Sequence, residues 1–321
     1  MSRIVLCGLL MAFVFMFSHF CTQEINPEFP ILKGPYLGQP PPGNTPEIFA
    51  PGIVSTERKE FMYGFFNNGS LFFFESSIPD IEKDWINIPV YRTEIKNGSW
   101  TKPQTWERTG RPWIYVYPDA PEGTKIFFAW KKNLDGSGPR MDIDLWKAVK
   151  LSEGWTLPVR LRPPVNTEKF DSWPSLSEKE TLYFFSSRNG GFGKLDLYCS
   201  VLQDGEYQEV ENLGQGINSE EHDHDPCIAP AESYLLWCSN RPGGYGGNDL
   251  YVAYRKENGQ WTKPFNLGDK INTSANETRP YVTDDGKYLF FVSDTNRNLD
   301  IFWVDARIIE ELKEEKFKYL R

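Results

Sequence analysis

The sequence is poor in the residues from which most catalytic and metal centres are built. Its 321 residues include three histidines and five cysteines. His19, Cys7 and Cys21 fall in or beside an apolar N-terminal segment. That leaves Cys199, Cys227 and Cys238, an odd number with no Cys-x-x-Cys spacing, which speaks against a disulfide scaffold. All three lie in apolar strand patterns and read as small buried hydrophobes; a bridge between Cys227 and Cys238, on consecutive strands, is the alternative. There is no Gly-x-Ser-x-Gly elbow, and no histidine beyond residues 222–224 could serve a Ser-His-Asp triad. Positive charge is scarce too. Lys and Arg number 35 against 44 Asp and Glu, a net charge of −9. Nucleic acid is therefore not an expected partner, because duplex binding needs clustered cations.

Long apolar runs are lacking as well, with one exception. Arg3 precedes fourteen apolar residues, Ile4 to Phe17, and a polar stretch begins at Thr22. A spanning helix needs roughly 20 such residues, so residues 1–21 read as a secretory signal. Cys21 stands where a bacterial lipoprotein signal places its lipidated cysteine, although Ser18-His19-Phe20 fits the cleavage pattern poorly. The expectation is export to the periplasm or outer membrane, with membrane contact only through an N-terminal lipid or signal anchor. A soluble periplasmic form is the alternative.

What the chain has in abundance is aromatics, 15% of its residues, which excludes disorder. They recur with a period. Asp144-Leu145-Trp146, Asp196-Leu197-Tyr198, Asp249-Leu250-Tyr251 and Asp300-Ile301-Phe302 are copies of one strand, spaced 52, 53 and 51 residues apart. Pro89-Val90-Tyr91 is a degraded fifth copy. Apolar strands repeat in step: Leu71–Ser76, Lys125–Trp130, Thr181–Ser186, Tyr234–Ser239 and Tyr288–Ser293. Such runs, bounded by turn residues, read as strands buried on both faces. Shorter strands start around Pro174, Pro226 and Pro280, and Gly turns followed by an aromatic mark a further hairpin in each unit.

Four short antiparallel strands per unit, repeated, make a β-propeller rather than a solenoid. The chain ends decide this. The last unit lacks its fourth strand, and Ile48–Thr56 resembles the ends of complete units, Leu213–Ser219 and Leu267–Thr273. The N-terminal segment thus supplies the missing strand and removes the exposed edge. The expected fold is all-β, a five-bladed propeller over residues 46–304, with six blades as the alternative. Residues 22–45 read as a Pro-rich extended leader. Residues 305–321 read as a C-terminal helix capped by Asp305, with Ile308, Ile309, Leu312 and Phe317 on its apolar side.

These units resemble TolB-type, WD-like propeller repeats of bacterial envelope proteins. The strongest matches are Ser187–Tyr198, Ser239–Tyr251 and the Asp-Gly hairpin in Asp284–Phe291. The leader Pro41–Thr56 is similar to exported single-domain members from Bacteroidetes-like bacteria. The resemblance covers about residues 35–312 and departs in blades one and two, at Phe61–Phe66 and Tyr117–Gly123. It implies a binding role, since TolB itself works by binding partners.

Aligning units on their prolines places Asp171, Asp223 and Glu277 three residues before each, and Trp173, Asp225 and Arg279 one before. Radial symmetry should gather them at one mouth of the axis. One reading makes the acids caps for loop amides. The other uses them as the paired carboxylates of a glycoside hydrolase, by fold-level analogy alone. Asp144, Asp196, Asp249 and Asp300 recur in every well-formed unit and read as architecture, accepting bonds from loop amides. Candidate ligand-binding residues are Trp113, Trp173, Asp225 and Arg279. No cofactor or resident metal is expected; His222 and His224 could supply two imidazoles but would need a third ligand from another blade. The leading expectation is a monomeric, non-catalytic binding scaffold for an envelope protein or glycan, and the alternative is the glycoside-active enzyme.

Overall fold

The computed structural model describes residues 29–321 except 67–68, 78–88, 107–115, 119–124, 133–141, 153–155, 296–297 and 319–321. The expected signal, Cys21 and Trp113 lie outside the described residues. The chain divides into residues 1–30 and a compact unit, Ile31–Arg321. Among the described residues no helix is long and apolar enough to cross a membrane.

The aromatic runs form strands, and among the described residues the strands form five antiparallel blade sheets, one per repeat, and a separate two-stranded hairpin, Leu202–Gln203 with Glu206–Tyr207. From the inside outward, blade one is Glu60–Phe66, Leu71–Ser76, Val90–Lys96 and Gln104–Thr105. Blade two is Val116–Pro118, Lys125–Lys131, Ile143–Val149 and Val159–Arg160. Blade three is Asp171–Leu176, Leu182–Ser186, Asp196–Ser200 and Glu211–Asn212. Blade four is Asp223–Ile228, Tyr234–Ser239, Asp249–Tyr254 and Phe265–Asn266. Blade five has Glu277–Val282, Tyr288–Ser293 and Asp300–Asp305, and its outer strand is Glu47–Ile48 from the start of the unit. The five-bladed expectation and its closure therefore hold.

The closing strand pairs Glu47 with Trp303 and Ile48 with Phe302. The turn after it copies the turns of complete blades. Asn218 accepts from the Leu197 N–H (2.8 Å) and donates to the Leu197 carbonyl (3.0 Å); Asn272 does the same to Leu250. Ser55 takes that place at the closure, accepting from the Ile301 N–H at 3.3 Å and donating to its carbonyl at 3.4 Å. Phe49 is fully buried at the seam between blades five and one.

Cores sit between neighbouring blades because both faces of each sheet are covered. Part of the expected leader, residues 22–45, packs on the blades. Tyr36 and Leu37 are buried, Tyr36 donates to Asp285, and the Trp100 indole donates to the Gly34 carbonyl at 2.7 Å. Two apolar side chains and an unpaired indole N–H gain more from that contact than from water. The C-terminal helix, Arg307–Lys318, starts at Asp305, whose carboxylate accepts from the Arg307 N–H. Ile309 and Phe317 pack it on Tyr254 of blade four, whose hydroxyl donates to the Ile309 carbonyl.

Each of the last three inner strands carries a bulge where two residues face one on the second strand. Trp173, Asp225 and Arg279 occupy these bulges with φ of 59°, 54° and 55°. The following proline has no N–H to waste and fits a position outside the ladder. The bulge turns these three side chains toward the axis.

Candidate functional site

The structure places the acids at the starts of their inner strands, each accepting from the backbone N–H and hydroxyl of a Ser or Thr four residues earlier. Asp171, Asp223 and Glu277 are fully buried. Asp171 accepts from the Thr167 N–H (2.6 Å) and hydroxyl (2.8 Å) and from Ser186. Asp223 accepts from the Ser219 N–H and hydroxyl and from the Trp237 indole at 3.0 Å. Glu277 accepts from the Thr273 N–H and hydroxyl and from Ser293 at 2.8 Å. Glu60 of blade one is a fourth member, fully buried and bonded to Thr56 and Ser76. The proline alignment missed Glu60 because blade one has Tyr63-Gly64 where the others have proline. A hydroxyl residue four before each acid was the signal that would have found it.

Arginine reinforces two of the four. Arg188 reaches Asp171 at 2.8 Å and the Val165 carbonyl at 2.6 Å, lying over Phe184 and Tyr198. Arg241 repeats this with Asp223, Ile217, Trp237 and Tyr251. These acids serve as hubs that tie a loop, two strands and an aromatic stack.

One layer deeper, described side chains of blades one, three and five meet across the axis. The Arg279 guanidinium of blade five lies 3.9 Å from the Phe61 ring of blade one and 4.9 Å from the Trp173 ring of blade three. It also stands 3.8 Å from Glu75 of blade one. Blades three and five are not neighbours, so this contact crosses the centre. Trp173, Asp225, Met62 and Glu75 are all buried there. Of the predicted ligand-binding residues, Trp173 and Arg279 thus stack on one another, and Trp173 and Asp225 are buried.

Glu75 takes the Tyr63 hydroxyl as donor. Burial raises its pKa above the usual 4.5, with Arg279 opposing. A carboxyl whose folded pKa is raised contributes its stability below the unfolded pKa and loses it as pH rises through the folded value. Unfolding free energies of wild type and Glu75→Gln, measured by denaturant titration from pH 4 upward, should therefore diverge in the variant's favour above about pH 4.5. A difference constant with pH would mean that Glu75 ionises normally in the folded state.

The two histidines separate. The backbone N–H of His222 donates to Asn240, and its ring is half-buried. His224 lies directly opposite Cys238 in the strand register and close to Asp225. The third partner thus comes from the same blade, not another, and could be read only from the register. Cys199, Cys227 and Cys238 are free thiols, so the alternative bridge is absent.

The loops before Asp196 and Asp249 present exposed aromatics. Phe192 is 47% and Tyr245 is 52% exposed. Asp196 accepts from the Phe192 and Gly193 N–H groups, and Asp249 from those of Tyr245 and Gly246. A Cβ at Gly191 or Gly244 would come within 2.5 Å of the aspartate, so only glycine permits this tight loop. The recurring aspartates are architectural in these two blades, and they hold two aromatic rings at equivalent places on adjacent blades. A surface cleft of about 450 Å³ lies elsewhere, between blades three and four, lined by Tyr183, Glu232, Arg255 and Trp261. It includes none of the four buried acids.

No family model matches the chain, and no curated protein is similar to it. Solved structures are similar in fold. A TolB-type protein from Agrobacterium tumefaciens aligns with a TM-score of 0.47 and 14% identity, over 74% of this chain and 71% of that one. TolB from Acinetobacter baumannii gives 0.45 and 11%, over 78% and 55%. An α-L-arabinofuranosidase from Lactobacillus brevis gives 0.47 and 12%, over 78% and 90%.

Proposed function

We propose that this chain is an exported, non-catalytic propeller that binds a protein or glycan partner at the bacterial envelope through the loops carrying Phe192 and Tyr245, with residues 1–21 directing export and Cys21 as the lipid attachment point. The observation that carries the reading is the pair of exposed rings on loops tied to Asp196 and Asp249. Rigid aromatics lose little entropy on binding and dominate interface energies, and their faces stack on sugar rings as readily as on protein side chains. The glycoside-active alternative draws less support, because Asp171, Asp223 and Glu277 are buried and occupied by loop donors, whereas a glycosidase needs two carboxyls facing substrate.

The test is a glycan array and a titration against purified envelope proteins, using the full chain. Phe192→Ala with Tyr245→Ala should weaken the binding found by about 2 kcal/mol, close to thirtyfold, with an unchanged circular dichroism spectrum. Aryl-glycoside turnover that disappears in Asp223→Asn would overturn the proposal. So would binding that ignores both aromatics.

A further inference from the structure

We propose that His224, Asp225 and Cys238 of blade four form a binding site for a divalent transition-metal ion of the zinc class. Cys238 Sγ lies 3.2 Å from His224 Nδ1 and 3.6 Å from Asp225 Oδ2, and His224 Nδ1 lies 3.2 Å from Asp225 Oδ1. A tetrahedral ion with nitrogen and oxygen at about 2.0–2.2 Å and thiolate sulfur at about 2.3 Å separates its ligand atoms by about 3.3–3.6 Å. The sulfur, the ring nitrogen and the two carboxylate oxygens, one facing each, already stand at nearly those separations.

The backbone explains how neighbours in sequence can share one ion. Successive residues of a regular strand point to opposite faces. Here the bulge at Asp225, with φ of 54°, turns its carboxylate back to the side of His224. Cys238 faces His224 across the ladder. The same places in blade three hold Ser172, Trp173 and Phe185, and in blade five Thr278, Arg279 and Val292. Neither of those sets offers three ligands, so among blades three, four and five the constellation belongs to blade four and is not a by-product of their shared pattern.

The hydrogen-bond chain behind His224 sets a proton on its Nε2. Asp294 can only accept, so Asn276 turns its amide nitrogen to Asp294 (3.0 Å) and its oxygen to Asn248. Asn248 then donates to Asn276 at 3.2 Å and turns its own oxygen to His224 Nε2 at 3.3 Å. Nε2 thereby carries a ring proton directed away from the cluster, while Nδ1 stands 3.2 Å from an Asp225 carboxylate oxygen and 3.2 Å from the Cys238 sulfur, which lies 3.6 Å from Nε2. A ring nitrogen, a carboxylate and a sulfur gathered at these distances is a donor set that a divalent cation can take. Metal-bound imidazoles hold their other nitrogen in this way. The Arg279 backbone N–H reaches Cys238 Sγ from the next blade, a donor suited to a bound thiolate. On binding, the Cys238 thiol proton leaves to solvent and the sulfur takes the metal as thiolate. Three protein ligands leave a fourth position for water or a partner's group.

The experiment is a cobalt(II) titration of the full-length protein, reduced with a non-thiol reductant, followed by absorption. One equivalent should produce a thiolate-to-cobalt charge-transfer band and intense visible bands of tetrahedral cobalt, both displaced by zinc. Cys238→Ser and His224→Ala should abolish the charge-transfer band, whereas Cys199→Ser and Cys227→Ser keep it. Asn248→Ala should weaken binding roughly 10- to 100-fold. A wild-type protein that is folded by circular dichroism yet gives no charge-transfer band overturns the proposal, as does a band that survives in Cys238→Ser.

Discussion

Phe49→Ala is expected to cost about 3–5 kcal/mol of unfolding free energy, among the largest effects available to one apolar substitution in this chain. Phe49 directly follows the strand that closes the ring, and it is fully buried. Its ring meets Phe290 and Trp303 of blade five at 5.1 and 5.2 Å, and Phe72 and Phe65 of blade one at 5.7 and 5.8 Å, all edge to face. Such pairs add to the area term, and an alanine leaves a void that two rigid sheets cannot collapse around. The loss falls on the one seam that joins distant parts of the chain. Urea titration should show it as a lower midpoint, and limited proteolysis should cut first near residues 46–56. Ile31→Ala, at a residue 79% exposed, should stay within about 0.5 kcal/mol. A Phe49→Ala cost below about 1 kcal/mol would mean that the seam holds without this ring.

That closure was legible because it is written twice. Val54-Ser55-Thr56 copies Ile217-Asn218-Ser219, and the last repeat lacked a strand that the first part of the propeller held spare. Period, strand order and blade number follow from side chains whose environment repeats. The axis was not legible for the opposite reason. Its packing depends on Arg279 reaching across to Phe61, Glu75 and Trp173 on blades that are not aligned with it in any repeat. A residue that breaks the repeat carries no copy from which to infer its surroundings. Glu60 shows a third case: its donor Thr56 repeats faithfully, but proline was the more conspicuous anchor and blade one lacks it. The Cys238 thiol looked like one more core residue until the register set it against His224.

Asp223→Ala should cost about 3–5 kcal/mol, because it strands a mostly buried arginine. Arg241 loses the carboxylate it bonds, and the Ser219 N–H, the Ser219 hydroxyl and the Trp237 indole lose their acceptor. Asp223→Asn keeps one acceptor oxygen and should cost less, about 1–3 kcal/mol. The repeats supply a sharper discriminator. Where an arginine follows the second strand, at Arg188 and Arg241, the acid is the short Asp171 or Asp223. Where blade five has Thr295 instead, the acid is the longer Glu277, bonded to Ser293, which also bonds Thr295. Acid length and arginine therefore change together, as two solutions of one packing problem. Asp223→Glu combined with Arg241→Thr should accordingly recover much of the stability that either change loses alone, a coupling that a denaturant-based double-mutant cycle measures directly. A catalytic carboxylate would behave otherwise: Asp223→Asn would abolish turnover at nearly unchanged stability, and no change at Arg241 would restore it. Strict additivity of the two substitutions would remove the architectural account of the ring of acids and return Asp223 to the list of groups that could act on a ligand.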